Sequence, residues 1–421
     1  MEAVHTKIGQ EPSPAVELRA SSGLRAGYLL LEALNSCAMS YYGYYIFFYL
    51  QKHFGFGNLG NLTFSAVNGF VYIFSAWYGG KFAQKFGLFR ALTVGLSAVI
   101  AVLISGSAWQ TISGQFIVMM LWTVGMCFTW PALEALISES GGRRGMLRMI
   151  GMYNVVWAAS GALTYFFGGA LFERFGEKSL FYFPAAVHCC QLVLLAALRR
   201  RKTLEEACMR LPDVADKISE AERLPIPEKT QHRSGTTGRA FLRMAWLANP
   251  FAYIAINTTV AVIPELARRL NLSPTFAGFF CSIWFFVRLA TFVLLWQWTA
   301  WHYRFGWLLS AFIGLVSSFA IMLLVPDVSV LIIAQVVFGV SIGLIYYSSL
   351  FYSMDVGETK AEHGGIHEAA IGMGIFLGPA VGAAALRFFP QFPNSAVWAV
   401  AGLLSVGLCL LVGMRRKSAE G

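Results

Sequence analysis

Residues 91–108 read ALTVGLSAVIAVLISGSA, eighteen positions without a charge, and they follow the basic stretch KFAQKFGLFR at 81–90. A helix that crosses the hydrocarbon of a bilayer needs about 20 mostly apolar residues. The segment therefore reads as a span with Lys81, Lys85 and Arg90 anchoring one end. The same alternation of apolar run and polar interruption recurs along all 421 residues. It gives candidate spans at 26–51, 60–83, 90–110, 114–138, 147–172 and 178–198, then at 243–267, 274–299, 306–325, 329–353, 366–388 and 395–414. Lipid satisfies no backbone N–H or C=O, so runs of this length are helices. The chain is 57% hydrophobic and 13% charged, against about 25% charged in a soluble domain. The expected fold class is an all-α membrane protein of twelve transmembrane helices.

Basic residues set the orientation, because lysine and arginine accumulate on the cytoplasmic side. The N-terminus, the loops that follow even-numbered spans and the C-terminal tail hold 25 of the 32 basic residues; the opposite side holds 6, and Arg288 lies within a span. Both termini are expected in the cytoplasm, in a multi-pass protein of the plasma or inner membrane. The net charge of +10 is thereby a topology signal, and no nucleic-acid partner is needed to explain it. Met1–Arg25 lacks an apolar stretch, so the first span is expected to serve as its own insertion signal. Seven cysteines show no metal-ligand spacing, six of them in spans. No metal, cofactor or disulfide is expected.

The long hydrophilic segment begins Arg199-Arg200-Arg201-Lys202 and divides the chain: tail 1–25, first bundle 26–198, cytoplasmic linker 199–242 with a short amphipathic helix around Thr203–Arg223, second bundle 243–414, tail 415–421. The halves echo each other. Gln84-Lys85-Phe86-Gly87 returns as Tyr303-Arg304-Phe305-Gly306, Gly125 as Gly343, and the run Asn154 to Gly161 as His367 to Gly374, at offsets of 219, 218 and 213. A duplicated six-span unit accounts for that spacing.

Between the second and third spans stands Gly80-Lys81-Phe82-Ala83-Gln84-Lys85-Phe86-Gly87-Leu88-Phe89-Arg90. This resembles the Gly-x-x-x-Asp-Arg/Lys-x-Gly-Arg/Lys-Arg/Lys pattern of the major facilitator superfamily, with Gly80, Lys85 and Gly87 matching, Gln84 replacing the acid and Arg90 one place late. The resemblance implies two pseudo-symmetric six-helix bundles and a latch between them in this loop, from which Gln84 removes the charge. The eleventh span carries Gly374, Gly378, Pro379 and Gly382, similar to the glycine-proline motif that antiporters of the family carry on the fifth. Small residues four apart favour close helix approach, and an internal proline favours a kink; a bent or tightly packed helix at the interface of the halves is expected.

Ionisable groups inside a bilayer cost about 2.5–3.5 kcal/mol at a helix centre on insertion scales, so they need a partner or a wet cavity. Arg288, 14 residues past Pro274, is roughly 21 Å from the outer end of its span. Glu32, Glu134, Glu368 and Asp355 lie at a compatible depth and are its candidate partners, either as a static ion pair or as groups that titrate during a transport cycle; for Glu368, which opens the eleventh span, a helix-dipole role is the alternative. The resemblance places spans one, four, seven and ten around a central cavity. That selects Asn35 and Tyr41, Trp122 and Trp130, Asn257, and Tyr346 and Tyr347 as solute contacts, with Asn154, Trp157 and Trp284 beside them. Tyr44 and Tyr45 read as interfacial anchors. Trp130-Pro131 predicts a kink one turn before Glu134.

No phosphate-binding loop and no hydrolase motif occurs, so an enzyme or an ATP-driven pump is not expected. The reading is a secondary transporter, working as a monomer by alternating access, that couples a proton or other ion to efflux of an amphipathic solute. The alternatives are uptake of a sugar or organic anion, with Arg288 on the anion, and a non-transporting receptor or scaffold.

Overall fold

A computed structural model describes residues 22–138, 143–209, 235–356 and 360–420. Its first half comprises α1 (Ser22–Phe54), α2 (Asn58–Phe86), α3 (Leu88–Ala108), α4 (Ile112–Cys127), α5 (Trp130–Ser138), α6 (Arg143–Phe175) and α7 (Ser179–Met209). The second half comprises α8 (Gly235–Arg269), α9 (Pro274–Cys281), α10 (Ile283–Gln297), α11 (Phe305–Leu324), α12 (Val328–Val356), α13 (Lys360–Phe388) and α14 (Ser395–Glu420). Helices α4 and α5 together form the fourth span, and α9 and α10 the eighth, so the fourteen helices among the described residues make twelve spans. Among the described residues there is no strand. Helix α7 runs on to Met209 and α8 begins at Gly235, so ordered helix reaches into both ends of the segment read as linker; the rest of the expected amphipathic helix lies outside the described residues.

Ten spans are apolar enough by composition to cross a membrane; the first two are not among them. In α1 the reason is visible in what it buries: Glu32, Asn35, Ser36, Tyr41, Tyr42 and Tyr45 are all inside the protein, so this helix meets protein where others meet lipid. Burial sorts the other spans in the same way. Spans four, seven and ten hide 56–61% of their apolar window, whereas spans three, six, nine and twelve hide 28–39%. The former are central and the latter face lipid.

Among the described residues two contacts dominate the joining of the bundles, with lesser ones from α1 and α2 to α8. Helix α2 lies along α13, and α6 lies along α9 and α10. Spans two and eleven thus pair as spans eight and five do, which is the pairing a twofold repeat of six spans produces. Glycines set the closeness. A methyl at Gly69 would overlap the backbone of Ile375 and Phe376, one at Gly372 would press on Tyr72 and Ile73, and one at Gly169 would overlap the Pro274 carbonyl.

The fourth span breaks where its proline requires. Pro131 has no N–H to offer the Cys127 carbonyl four residues back, and α4 ends at Cys127. Gly79 of α2 fits against that freed carbonyl. At the other break, the Ser282 hydroxyl donates to the Phe279 carbonyl at 2.8 Å, a bond of the kind that bends helices.

The motif glycines divide differently from expectation. Gly80 faces open space, so it sets no helix approach; Gly87 closes α2 at a φ of 93°, a left-handed geometry that suits glycine. Gln84, Lys85 and Arg90 are exposed, with the Lys85 ammonium 5.3 Å from the Phe86 ring centroid. Gly374 and Gly378 pack on the α8 backbone at Pro250 and Ile254, inside the second bundle and not between the halves; Gly382 meets Leu62 of α2. Gly378→Ala should therefore cost about 1–3 kcal/mol by overpacking, read as a lowered melting temperature in detergent. Gly80→Ala should be neutral or slightly stabilising, since alanine favours a helix interior.

Candidate functional site

Glu32 is fully buried on α1. Its Oε1 accepts the Ser36 hydroxyl at 2.6 Å, its Oε2 has no partner, and the Trp130 indole and Glu134 lie beside it. Glu134, brought inward by the break before Pro131, in turn lies near Glu368. Glu368 accepts the Tyr72 hydroxyl at 2.5 Å across the contact between bundles. The helix carrying Glu368 starts at Lys360, two turns before it, so the residue is no helix-terminal charge. Tyr153 adjoins all three carboxyl groups. Among the described residues none of the three forms a salt bridge.

Arg288 is 4% exposed. Rings surround it: its guanidinium carbon lies 4.5 Å from the Trp157 centroid, 5.2 Å from Phe285 and 5.5 Å from Trp284. Among the described residues no carboxylate lies within 4.0 Å of it; the side chains of Asp355 and His367 lie outside them. Tyr253 and Tyr346 are near enough to interact with Arg288, Glu134 and Glu368 alike. Rings on a guanidinium supply quadrupole attraction of about 2 kcal/mol or more when desolvated. The Nε–H nonetheless has no acceptor.

Trp157 belongs to the first bundle and Arg288 to the second, so this contact also bridges the halves. The repeat explains its location. An offset of 219 carries Gly69 to Arg288, and one of 213 carries Asn154 and Trp157 to His367 and Ala370. The carboxyl cluster and the aromatic cage accordingly occupy corresponding flanks, α2 with α13 and α6 with α10.

The other expected contacts separate into those near these clusters and those away from them. Asn154 is buried with neither end of its amide bonded, as is Asn35. Trp284 is fully buried, its indole N–H unpartnered. Tyr346 stacks on Trp157 at 5.4 Å. Asn257 donates to its own helix at Tyr253 O, 2.9 Å. Trp122 packs on Tyr42 within the first bundle, Tyr41 pairs with Ser179 at 2.7 Å, and Tyr347 lies 5.9 Å from both Trp301 and Phe292, beside the cage. Tyr45 is buried and donates to the Tyr165 carbonyl at 2.5 Å, and Tyr44 meets Phe285 of the other bundle, so neither is an interfacial anchor. Tyr72, Tyr153 and Tyr253 were not singled out from sequence, and the repeat offers no signal for them, since it pairs them with Thr291, Ile366 and Leu34.

The sequence of residues 3–165 matches the family model described as Major Facilitator Superfamily. Among solved structures, the nucleoside transporter NupG aligns with a TM-score of 0.65 at 13% identity, over 93% of this chain and 98% of that one. A mutant of the peptide transporter POT in complex with alafosfalin gives 0.67 at 13% identity, over 94% of each chain. At such identity the fold is what is shared. A search of curated proteins finds no match. Residues 3–165 are thus recognisable in sequence as similar to the Major Facilitator Superfamily, and the chain as a whole shares its fold with the transporters NupG and POT.

Proposed function

We propose that the chain is a secondary active transporter that exchanges protons for an amphipathic organic solute by alternating access, its bundles rocking about the line where they meet. The observation that supports this reading is that Glu32, Glu134 and Glu368 lie near one another and near Tyr153 without a described salt-bridge partner. A carboxyl group that is wetted and buried in alternation exchanges a proton with whichever side it meets. The aromatic rings offer an apolar solute a surface along the same line. Because both occupants use one passage, they use it in turn, which is exchange; with protons running inward the solute is exported. Both halves of the passage belong to one chain, so a monomer suffices.

Thermal stabilisation of the purified protein against sugars, drugs and organic acids identifies the solute. In proteoliposomes with the membrane potential clamped, each pH unit should sustain about a tenfold solute gradient per exchanged proton, since one unit is worth about 1.36 kcal/mol. Solute flux indifferent to the pH gradient would make the protein a facilitator and overturn the coupling.

A further inference from the structure

The aromatic cage around Arg288 selects one chemistry. A guanidinium carries its N–H donors in the plane of the group and presents bare π-faces above and below. Here its central carbon lies over rings from both bundles, Trp157 from α6 and Phe285 and Trp284 from the eighth span. The Nε–H at its edge is buried without an acceptor. Two further donors have the same lack: the Trp284 indole N–H, one turn before Arg288, and the Asn154 amide, one turn before Trp157. A buried donor without an acceptor costs about as much as a lost hydrogen bond. Two donor-only groups, the Arg288 Nε–H and the Trp284 indole, stand unmet beside a full positive charge with no described carboxylate at salt-bridge distance, and the Asn154 amide, unbonded at both ends, adds a donor and an acceptor.

We infer that this cage is the anchoring subsite for the solute and takes a planar aromatic anion, its carboxylate or equivalent acid group on the Arg288 edge and its ring among Trp157, Phe292 and Tyr346. The assignment rests on the transport reading above and narrows it to one charge class. Three features favour the anion. The edge of a guanidinium binds a carboxylate through parallel N–H donors. Trp157, Phe292 and Tyr346 already stack on one another, at 5.4–6.3 Å between centroids, and offer faces of the right shape to a flat ring. A cation would be repelled by Arg288, and a neutral solute would leave the charge without its counterpart.

Calorimetric titration of the purified protein tests this with three probes that share a ring: indole-3-acetate, indole-3-acetamide and tryptamine. Indole-3-acetate should bind at least about tenfold more tightly than either of the others, because a site built around a hydrogen-bonding group discriminates strongly against analogues that lack it. Arg288→Gln should erase that preference; should that variant fail to fold, Arg288→Lys, which keeps the charge without the planar fork, should retain only part of it. Equal affinity for the three probes, preference for tryptamine, or no heat at millimolar concentration from indole-3-acetate, benzoate or 2-naphthoate overturns the assignment. The two readings fail separately. Arg288-dependent anion binding without pH-driven flux leaves the subsite and removes the transporter, whereas pH-driven flux without anion preference does the reverse.

Discussion

Glu32→Gln should lower solute-driven proton movement in proteoliposomes by about tenfold or more, while solute counterflow, which moves no net proton, falls far less. The substitution is close to isosteric. A glutamine Oε1 still accepts the Ser36 hydroxyl that Glu32 holds at 2.6 Å, so the packing of α1 has little reason to change. What disappears is the proton-carrying oxygen pair, one member of which has no other bond. Loss of a positioned proton-transfer group is worth about two orders of magnitude or more in catalysis, and tenfold is a modest expectation beside that, because Glu134 adjoins Glu32 and retains part of the pathway. A pH-sensitive dye inside the vesicles reads the result directly. Coupling equal to that of the wild type would remove Glu32 from the proton path.

Gly69→Leu should stop the bundles from meeting along α2 and α13. A side chain at this position would enter the space of Ile375 C and Phe376 N and Cα, backbone atoms that no rotamer change can move aside. Overpacking of this kind costs about 3 kcal/mol at the upper end of its usual range, which is about a hundredfold in the population of the closed form. Transport that passes through that form should slow by the same factor. Gly80→Leu, on the same helix but facing open space, should transport nearly as the wild type does. A Gly69→Leu protein with wild-type flux would show that α2 and α13 need not touch during the cycle.

The contrast between these glycines shows what a linear reading captures. Twelve helices were legible because lipid leaves an apolar run of twenty residues no other structure, and the break in the fourth span because Pro131 has no N–H. The depth of Arg288 was legible too, since rise per residue converts position into distance along the membrane normal. Direction around the helix axis was not. Arg288 and the three carboxyl groups occupy compatible levels, yet none of the three comes within 4.0 Å of Arg288. Spacing announced that Gly374 and Gly378 admit a close neighbour without saying that the neighbour is α8. Tyr44 and Tyr45 failed for a related reason: aromatic residues gather both at membrane surfaces and in packed interfaces, and only a third dimension separates the two.

The two flanks that join the halves descend from one repeated pattern, yet one is fastened by the Tyr72 hydroxyl on Glu368 and the other by the Trp157 ring on Arg288. Duplication has ended in a lopsided clasp. A proton acts on the first fastening and leaves an indole–guanidinium stack untouched; a bound acid acts on the second. On the proposed reading, proton and solute meet different fastenings, so each loosens one flank in its own turn.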